Sequence, residues 1–438
     1  MGRKIKMVFA FVVANAIGLQ FTGAIAAQDD LAQAFVEAEN KFAYDIFEEI
    51  AKSTEENICF SPLGLTVTLA ILAEGSKGET QQEIVRALKY DEKAPLLSAA
   101  EAALSFSEDN RSRSATWVNL NAIWLQSRYR WDPRFVKSVR ESISCEFSTV
   151  DFRRASGVAV QLINSWANRR TAGRVGQIIS PGSLDHQTRF VVVNAVFMDA
   201  KWEHGFDRNI TGDRDFHVTS EQTVSTPMMT QTSTFPWMKQ KTFSAVQLPY
   251  KNFSASMFVF LPHEIDGLQN LITTLSADEL ATSMRLLDEA PEPEPRPAGQ
   301  QGFFQVPANE AEPQLGQTLV ELQLPRFQIL HQQDMKAPLQ LLGVKSAFEM
   351  ERADFKIRRR DDDELIYLSE IQQTASIEVD EEGTVAAAVT IGKGAGGFGF
   401  APEKVTFNAD RPFVYVIRAD NGLILFMGCV HNPLQQTQ

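Results

Sequence analysis

IEVDEEGTVAAAVTIGKGAGGFGF, residues 377–400, begins as a strand and becomes a run of unusually small side chains. Strands point alternate residues to opposite faces. On that period, one face of the run carries Thr384, Ala386, Ala388, Thr390, Gly392, Gly394 and Gly396, all small and uncharged. The other face carries Val385, Ala387, Val389, Ile391, Lys393 and Ala395, and holds the only charge. A segment that must slide into an existing sheet over a packed core needs this pattern. Bulk or charge on the inward face would cost on the order of several kcal/mol in overpacking or desolvation. A flexible linker is also rich in small residues, so alternation alone leaves both readings open.

The chain around this stretch has ordinary globular proportions: 438 residues, 44% hydrophobic, 22% charged, with a formal net charge of −13. That composition excludes collagen-like, disordered and polytopic membrane classes. The length allows a large core without disulfide or metal staples. The acidic balance argues against nucleic acid or heparin gripped through a broad basic surface. At the N-terminus, Arg3, Lys4 and Lys6 precede an apolar run from Met7 to Leu19 and then Ala24-Ile25-Ala26-Ala27. This is the pattern of a secretory signal peptide, too short to span a bilayer. Residues 1–27 are therefore expected to be removed, leaving 28–438 as an extracellular single domain. Three glycosylation sequons fit that route, at Asn110, Asn209 and Asn252. Cys59, Cys145 and Cys429 form no disulfide framework, and no disulfide is expected.

Residues 32–52 carry apolar side chains at helical spacing, and 57–62 read as a short strand and turn. Leu65 to Glu74 is an almost wholly apolar helix, and a further helix runs from Lys77-Gly78-Glu79-Thr80 to near Leu88. Helices are expected to dominate up to about Arg170. Strands follow at Phe190–Met198, Ala245–Leu248, Ala255–Leu261, Leu319–Leu324 and Phe413–Arg418. Helices first and strands later, without βαβ alternation, predict an α+β architecture. The stretch 288–317 carries prolines at 291, 293, 295 and 297 and few large apolar residues, and reads as an exposed, largely disordered insertion. Zinc spacings and a GxSxG elbow are absent, and Gly392-Lys393-Gly394 lacks the ending of a phosphate loop. No cofactor and no metal are expected. Arg358-Arg359-Arg360 is followed at once by Asp361-Asp362-Asp363 and reads as a solvated turn.

Taken together, several motifs resemble the serpin family. The run Glu381-Glu382-Gly383-Thr384-Val385-Ala386-Ala387-Ala388 is close to its inhibitory hinge consensus. Asn57–Leu88, Val192–Phe206, Asp215-Phe216-His217 and Phe407–Pro433 match further family stretches in the same order. The likeness spans about residues 32–433, interrupted mainly by the 288–317 insertion. It implies one α+β domain with three β-sheets, about nine helices and an exposed reactive loop, here 381–403 with its hinge. Inhibitory members are suicide substrates, not enzymes. A serine protease is acylated by the loop, which then inserts as a new central strand and drags the protease away. Roughly a dozen new ladder bonds at about 1 kcal/mol net each, with buried surface, give on the order of 10 kcal/mol or more. The partner implied is an extracellular serine protease held covalently by a monomer, with no nucleic acid, membrane or evident heparin site.

Under the same resemblance, counting forward from Glu381 puts the scissile bond after Gly397, and counting back from Phe407 puts it after Phe398. Phe398-Gly399 is favoured, because a large aromatic suits a chymotrypsin-like pocket. Gly397-Phe398 would suit an elastase-like enzyme, Lys393 would attract trypsin-like ones but lies too near the hinge for enough strand to insert, and Phe400 is the remaining candidate. Glu381 matches the hinge glutamate that pairs with a basic residue, for which Arg326 is the match, and Trp202 matches the aromatic beside them. Ser61 and Asn194 match the polar cluster where strands part. Gly64 stands where the family has a second serine, and Gln373 where it has a histidine. A non-inhibitory carrier, storage protein or substrate is the alternative, supported by five glycines between Gly392 and Gly399. A secreted hydrolase with a scattered triad is the remaining one.

Overall fold

The computed structural model describes residues 30–91, 94–104, 115–291, 314–359, 365–384 and 404–435. The expected leader, Asn110, most of the 288–317 insertion, Ala386, Ala387, Ala388, Lys393, Gly397, Phe398 and Gly399 lie outside them.

A strand buried on both faces needs apolar residues throughout, and FVVVNAVFM supplies them. It forms most of β4 (Phe190–Lys201), the hub of a six-stranded sheet. Its neighbours are β2 (Ala115–Gln126), antiparallel, and β11 (Leu368–Val379), parallel. Beyond them lie β3 (Cys145–Val150) and β10 (Phe327–Asp334). The even-numbered β4 residues Phe190, Val192, Val196, Met198 and Ala200 enter the main core. The odd-numbered Val191, Val193 and Ala195 pack in a second cluster with Val160, Ile163 and Trp166 of α6 (Phe152–Arg170). The sheet thus has a core on one side and a helix laid across the other.

The other strands join one nine-stranded network: β1 (Ile58–Phe60), β5 (Gly212–His217), β6 (Thr223–Lys239), β7 (Phe243–Pro249), β8 (Ala255–Pro262), β9 (Gln314–Pro325), β13 (Lys404–Asn408), β14 (Phe413–Ala419) and β15 (Ile424–Val430). Two of the three expected sheets are merged here because β6 is 17 residues long. Its first part pairs β5, and its end pairs β7, while β9 follows it along most of its length.

Nine α-helices are present among the described residues: α1 (30–51), α2 (Pro62–Glu74), α3 (Gly78–Ala87), α4 (Leu96–Leu104), α5 (Pro133–Ser142), α6, α7 (Leu268–Thr274), α8 (Ala277–Asp288) and α9 (Lys336–Leu341). All but the last residue of α2 are buried, as its uninterrupted apolar sequence requires. Ser61 caps it through Oγ, and Pro62 occupies the first turn where a missing N–H costs nothing. Helices dominate up to Arg170, as expected, with the strands β1, β2 and β3 set among them. The ends of the 288–317 stretch also belong to regular elements, with Asp288 closing α8 and Gln314–Gln317 opening β9. All three cysteines are buried and free, with burial pushing each thiol up to about 12.

Candidate functional site

The seam between β4 and β11 organises the site. Their parallel ladder runs from Leu368 beside Phe190 to Ser376 beside Phe197. Beyond it the chain turns back through Asp380–Gly383 and enters the gap itself. The short strand β12 (Gly383–Thr384) pairs with β4 and β11 at once: Thr384 faces Ala200 on one side and Val379 on the other. Thr384 is fully buried, and its Oγ1 lies 2.9 Å from the Tyr250 hydroxyl. Glycine is required at 383 by close approach, since a Cβ there would stand 2.1 Å from the Ala200 carbonyl oxygen.

The turn is closed by its own aspartate. Asp380 Oδ1 accepts from the amides of Glu382 (2.9 Å) and Gly383 (3.2 Å), and the Asp380 amide donates to the Gly383 carbonyl (3.0 Å). Two amides of the β4–β5 connection fasten it to the sheet. Trp202 N–H donates to Glu382 O at 2.9 Å, and Phe206 N–H to Glu381 O at 2.8 Å. The Trp202 indole stacks on Tyr250 with centroids 4.7 Å apart and donates Nε1–H to Asp380 O at 3.0 Å.

Glu381 is almost fully buried, and burial alone would raise its carboxyl pKa. Donors outweigh that cost and hold it below the ordinary carboxylate value. Arg326 gives Nε–H at 2.8 Å and a second contact through Nη2, and Thr211 gives its hydroxyl at 2.6 Å. Glu381 and Arg326 are in contact, and Trp202 beside them bonds the flanking Asp380 and Glu382 carbonyls, so the three are brought together from separate segments. Thr211, Tyr250 and Arg208 were missed by sequence reasoning. Thr211 stood out only as the last residue of the Asn209 sequon and the other two not at all, because all three meet the hinge only through the fold.

Four rungs of the ladder from the top of the seam, counting from Ser376 beside Phe197, lies a second polar cluster. Gln373 and Asn194 are opposite each other, and Gln373 Nε2 donates to Asn194 Oδ1 at 2.8 Å. Gln373 also clasps Ser61, giving Nε2–H to Ser61 O (2.9 Å) and accepting Ser61 N–H (2.8 Å). Ser61 Oγ donates to Leu425 O at 2.6 Å. Asn194 Nδ2 donates to Asn119 Oδ1 (2.6 Å), Leu120 O (3.2 Å) and Asn121 Oδ1 (2.9 Å). Thr68 Oγ1 bridges Asn121 Oδ1 and Gly64 O, both at 2.8 Å. Ser61, Asn194 and Gln373 are thus brought together, and Asn119, Asn121 and Thr68 join them. Gln373 both donates and accepts here and carries no titratable proton. Gly64 is also shaped by contact, since a Cβ there would fall 2.6 Å from Asn194 Oδ1.

Of the sequons, Asn209 and Asn252 are exposed. Asn252 sits in the β7–β8 turn with φ 53°. Asn209 directly follows Arg208, beside the hinge.

A family model described as serpin (serine protease inhibitor) matches residues 37–296 and 299–433. The chain is 29% identical over 402 residues to the leukocyte elastase inhibitor of Sus scrofa, covering 90% of this chain and 98% of that one. It is 30% identical over 408 residues to plasminogen activator inhibitor 1 of Sus scrofa, covering 90% and 91%. Among solved structures, Serpin48 of Tenebrio molitor superposes with a TM-score of 0.75 at 26% identity, covering 91% and 98%. With the two-sided central strand, the Asp380–Gly383 turn at the open end of the seam and these matches across nearly its whole length, the chain belongs to the serpin family.

Proposed function

We propose that the protein is a secreted suicide-substrate inhibitor of a chymotrypsin-like serine protease, cleaved at Phe398-Gly399 and trapping the acyl-enzyme by inserting residues 384 onward between β4 and β11. The observation that carries this reading is the seating of Thr384 between those two strands before any cleavage. Extended antiparallel from the pair Thr384–Ala200, the register brings Ala386 level with Met198, Ala388 with Val196 and Thr390 with Asn194. Extended from Thr384–Val379, it brings Thr390 level with Gln373. Both extensions meet, because Asn194 and Gln373 are themselves opposite. The small, uncharged face would then enter the main core with the even-numbered side of β4. The opposite face, with Lys393, would lie on the α6 side. Two relatives bear inhibitor names, one of elastase and one of plasminogen activator, which agrees with inhibition of a protease and leaves its class to the test below. The leader and the sequons at Asn110, Asn209 and Asn252 support secretion and glycosylation.

In this mechanism the protein contributes no catalytic group. The protease supplies nucleophile and base, and the ester formed with Phe398 persists because insertion outruns deacylation. Glu381, Glu382, Gly383 and Thr384 act as the hinge, and Arg326 and Trp202 hold its base. Ser61, Asn194 and Gln373 gate the opening of the sheet. Before cleavage the chain is held in a metastable form by kinetics.

The test is incubation of the purified protein with chymotrypsin, elastase and trypsin separately, followed by denaturing electrophoresis and mass spectrometry of the released peptide. A covalent band near the summed masses and a peptide beginning at Gly399 are expected. Complete cleavage without that band would overturn the inhibitory reading in favour of a non-inhibitory substrate or carrier. The glycines between 392 and 399 favour that second reading, because they order at high entropic cost.

A further inference from the structure

Three consecutive acids, Asp380, Glu381 and Glu382, form the hinge turn, and their carboxylates are not equally served. Asp380 caps the turn, and Glu381 receives Arg326 and Thr211. Glu382 has a side chain only 5% exposed, yet neither of its oxygens receives an aligned hydrogen bond among the described residues. Its countercharge is Arg208, whose Nη2 stands 2.9 Å from Glu382 Oε1. The same guanidinium lies 3.4 Å from Asp380 Oδ2 and, through Nε, 3.9 Å from Glu381 Oε2. Arg208 comes from the β4–β5 connection, whereas the acids follow β11, so this one side chain spans the open end of the seam.

We infer that Arg208 is a positioning residue for loop insertion: it neutralises the buried Glu382 carboxylate and thereby holds the 380–383 turn folded, with Thr384 already seated between β4 and β11. A buried carboxylate that loses its countercharge has no donor to fall back on, and the turn must swing out to hydrate it. Swinging out breaks the Trp202–Glu382 and Phe206–Glu381 backbone bonds and withdraws Thr384 from the gap. Arg326 cannot substitute, since its fork is committed to Glu381 from the β9–β10 side. The seated turn is also the first pair of rungs of the inserted strand, so Arg208 would spare the cleaved loop the slow step of starting it. This consequence for trapping rests on the inhibitory reading, but the seating does not.

The test is hydrogen–deuterium exchange of the intact, uncleaved chain, read at the Trp202 and Phe206 amides. Arg208→Gln is expected to speed exchange at both amides by about tenfold; loss of a buried partner would give more, but Arg208 is half exposed. Arg208→Lys should restore most of the protection. The double variant Arg208→Gln with Glu382→Gln should restore it as well, because the uncompensated charge is gone. Unchanged exchange in Arg208→Gln would overturn the inference. So would faster exchange that is corrected neither by Arg208→Lys nor by the double variant, which would mean that Arg208 serves packing alone. With protease, Arg208→Gln should consume several-fold more inhibitor per enzyme trapped at an unchanged association rate. If the exchange results hold but the unaltered chain forms no covalent complex, the inhibitory reading fails and the clamp stands.

Discussion

Replacing Gly64 with serine restores the residue that the family usually carries, yet it should loosen this protein. A Cβ at 64 falls 2.6 Å from Asn194 Oδ1, 3.0 Å from Val196 Cγ2 and 3.2 Å from Ser61 Oγ. The Asn194 amide cannot simply step aside. Its oxygen accepts from Gln373, and its nitrogen donates to Asn119, Leu120 and Asn121. Displacing it gives up the Gln373 bond, which crosses the seam, and leaves a buried polar atom short of a partner at about 1–3 kcal/mol. Wedging a core contact adds a cost of about 1–3 kcal/mol. With partial relaxation, ~2 kcal/mol should fall on the closed sheet, and if opening relieves it, that is about thirtyfold in rate. The assay is the rate at which native monomer converts to inserted or polymeric forms on warming, followed by native gel electrophoresis. Gly64→Ala should show most of the effect, since the clash belongs to Cβ and not to the hydroxyl. Conversion of Gly64→Ser at the wild-type rate would show that the cluster absorbs the extra atoms and would refute the argument.

Other perturbations test separate parts of the reasoning. Thr384→Arg should abolish covalent trapping while leaving loop cleavage intact, because a charge cannot occupy the buried site beside Tyr250; a persisting complex on a denaturing gel would contradict this. Gly383→Ala should unseat the hinge and speed exchange of the Trp202 amide, because its Cβ would meet backbone rather than a movable side chain. Glu39 is fully buried, one oxygen lacks a partner, and desolvation raises its pKa well above the ordinary value. Its folded form therefore holds the proton more tightly than the unfolded chain, and stability drains away as pH rises above about 4.5. Glu39→Gln should raise the unfolding temperature at pH 7–8 more than at pH 5. His331 is the opposite case: burial lowers its pKa while its Nδ1 lies 2.9 Å from Cys59 O. The unfolded chain then binds the proton more readily, so stability is complete above about pH 6.5 and is lost below it. His331→Gln should flatten that acid limb in pH-dependent denaturation curves.

What could be read from the sequence divides along the range of the interactions. Local signals were sufficient for α2, whose apolar run admits only burial, and for β4, whose length and β-branched content suit a strand covered on both faces. Strand β2 was missed because Asn119 and Asn121 interrupt its apolar pattern. Those asparagines are there for Asn194, a partner about 75 residues away, and no local window contains that reason. The 17-residue β6 could not be foreseen as a bridge between sheets, since its run of Thr, Ser and Met is ambiguous without the strands beside it. Arg326 and Glu381 were legible only through resemblance, and Arg208 was not legible at all.

The two polar stations differ in kind, and this bears on how the seam works. At the Gln373–Asn194 station every named bond is neutral, short and enclosed, so its strength is insensitive to salt and to pH near neutrality. At the hinge the Glu381 and Glu382 side chains are held by ion pairs whose arginines are 42% and 48% exposed, so ionic strength and competing ions can reach these pairs, though not the backbone bonds from Trp202 and Phe206. Opening that starts at the hinge gives up the screened ion pairs first and then the Trp202 and Phe206 backbone bonds. Only after the rungs at Ser376, Ala375 and Thr374 does it reach the neutral clasp at Gln373. A seam that began to part at Gln373 would instead have to break buried bonds with no water available to replace them. Under the proposed inhibitory reading, the loop would enter at the end held by the arginines and meet resistance below it, along the same pair of strands.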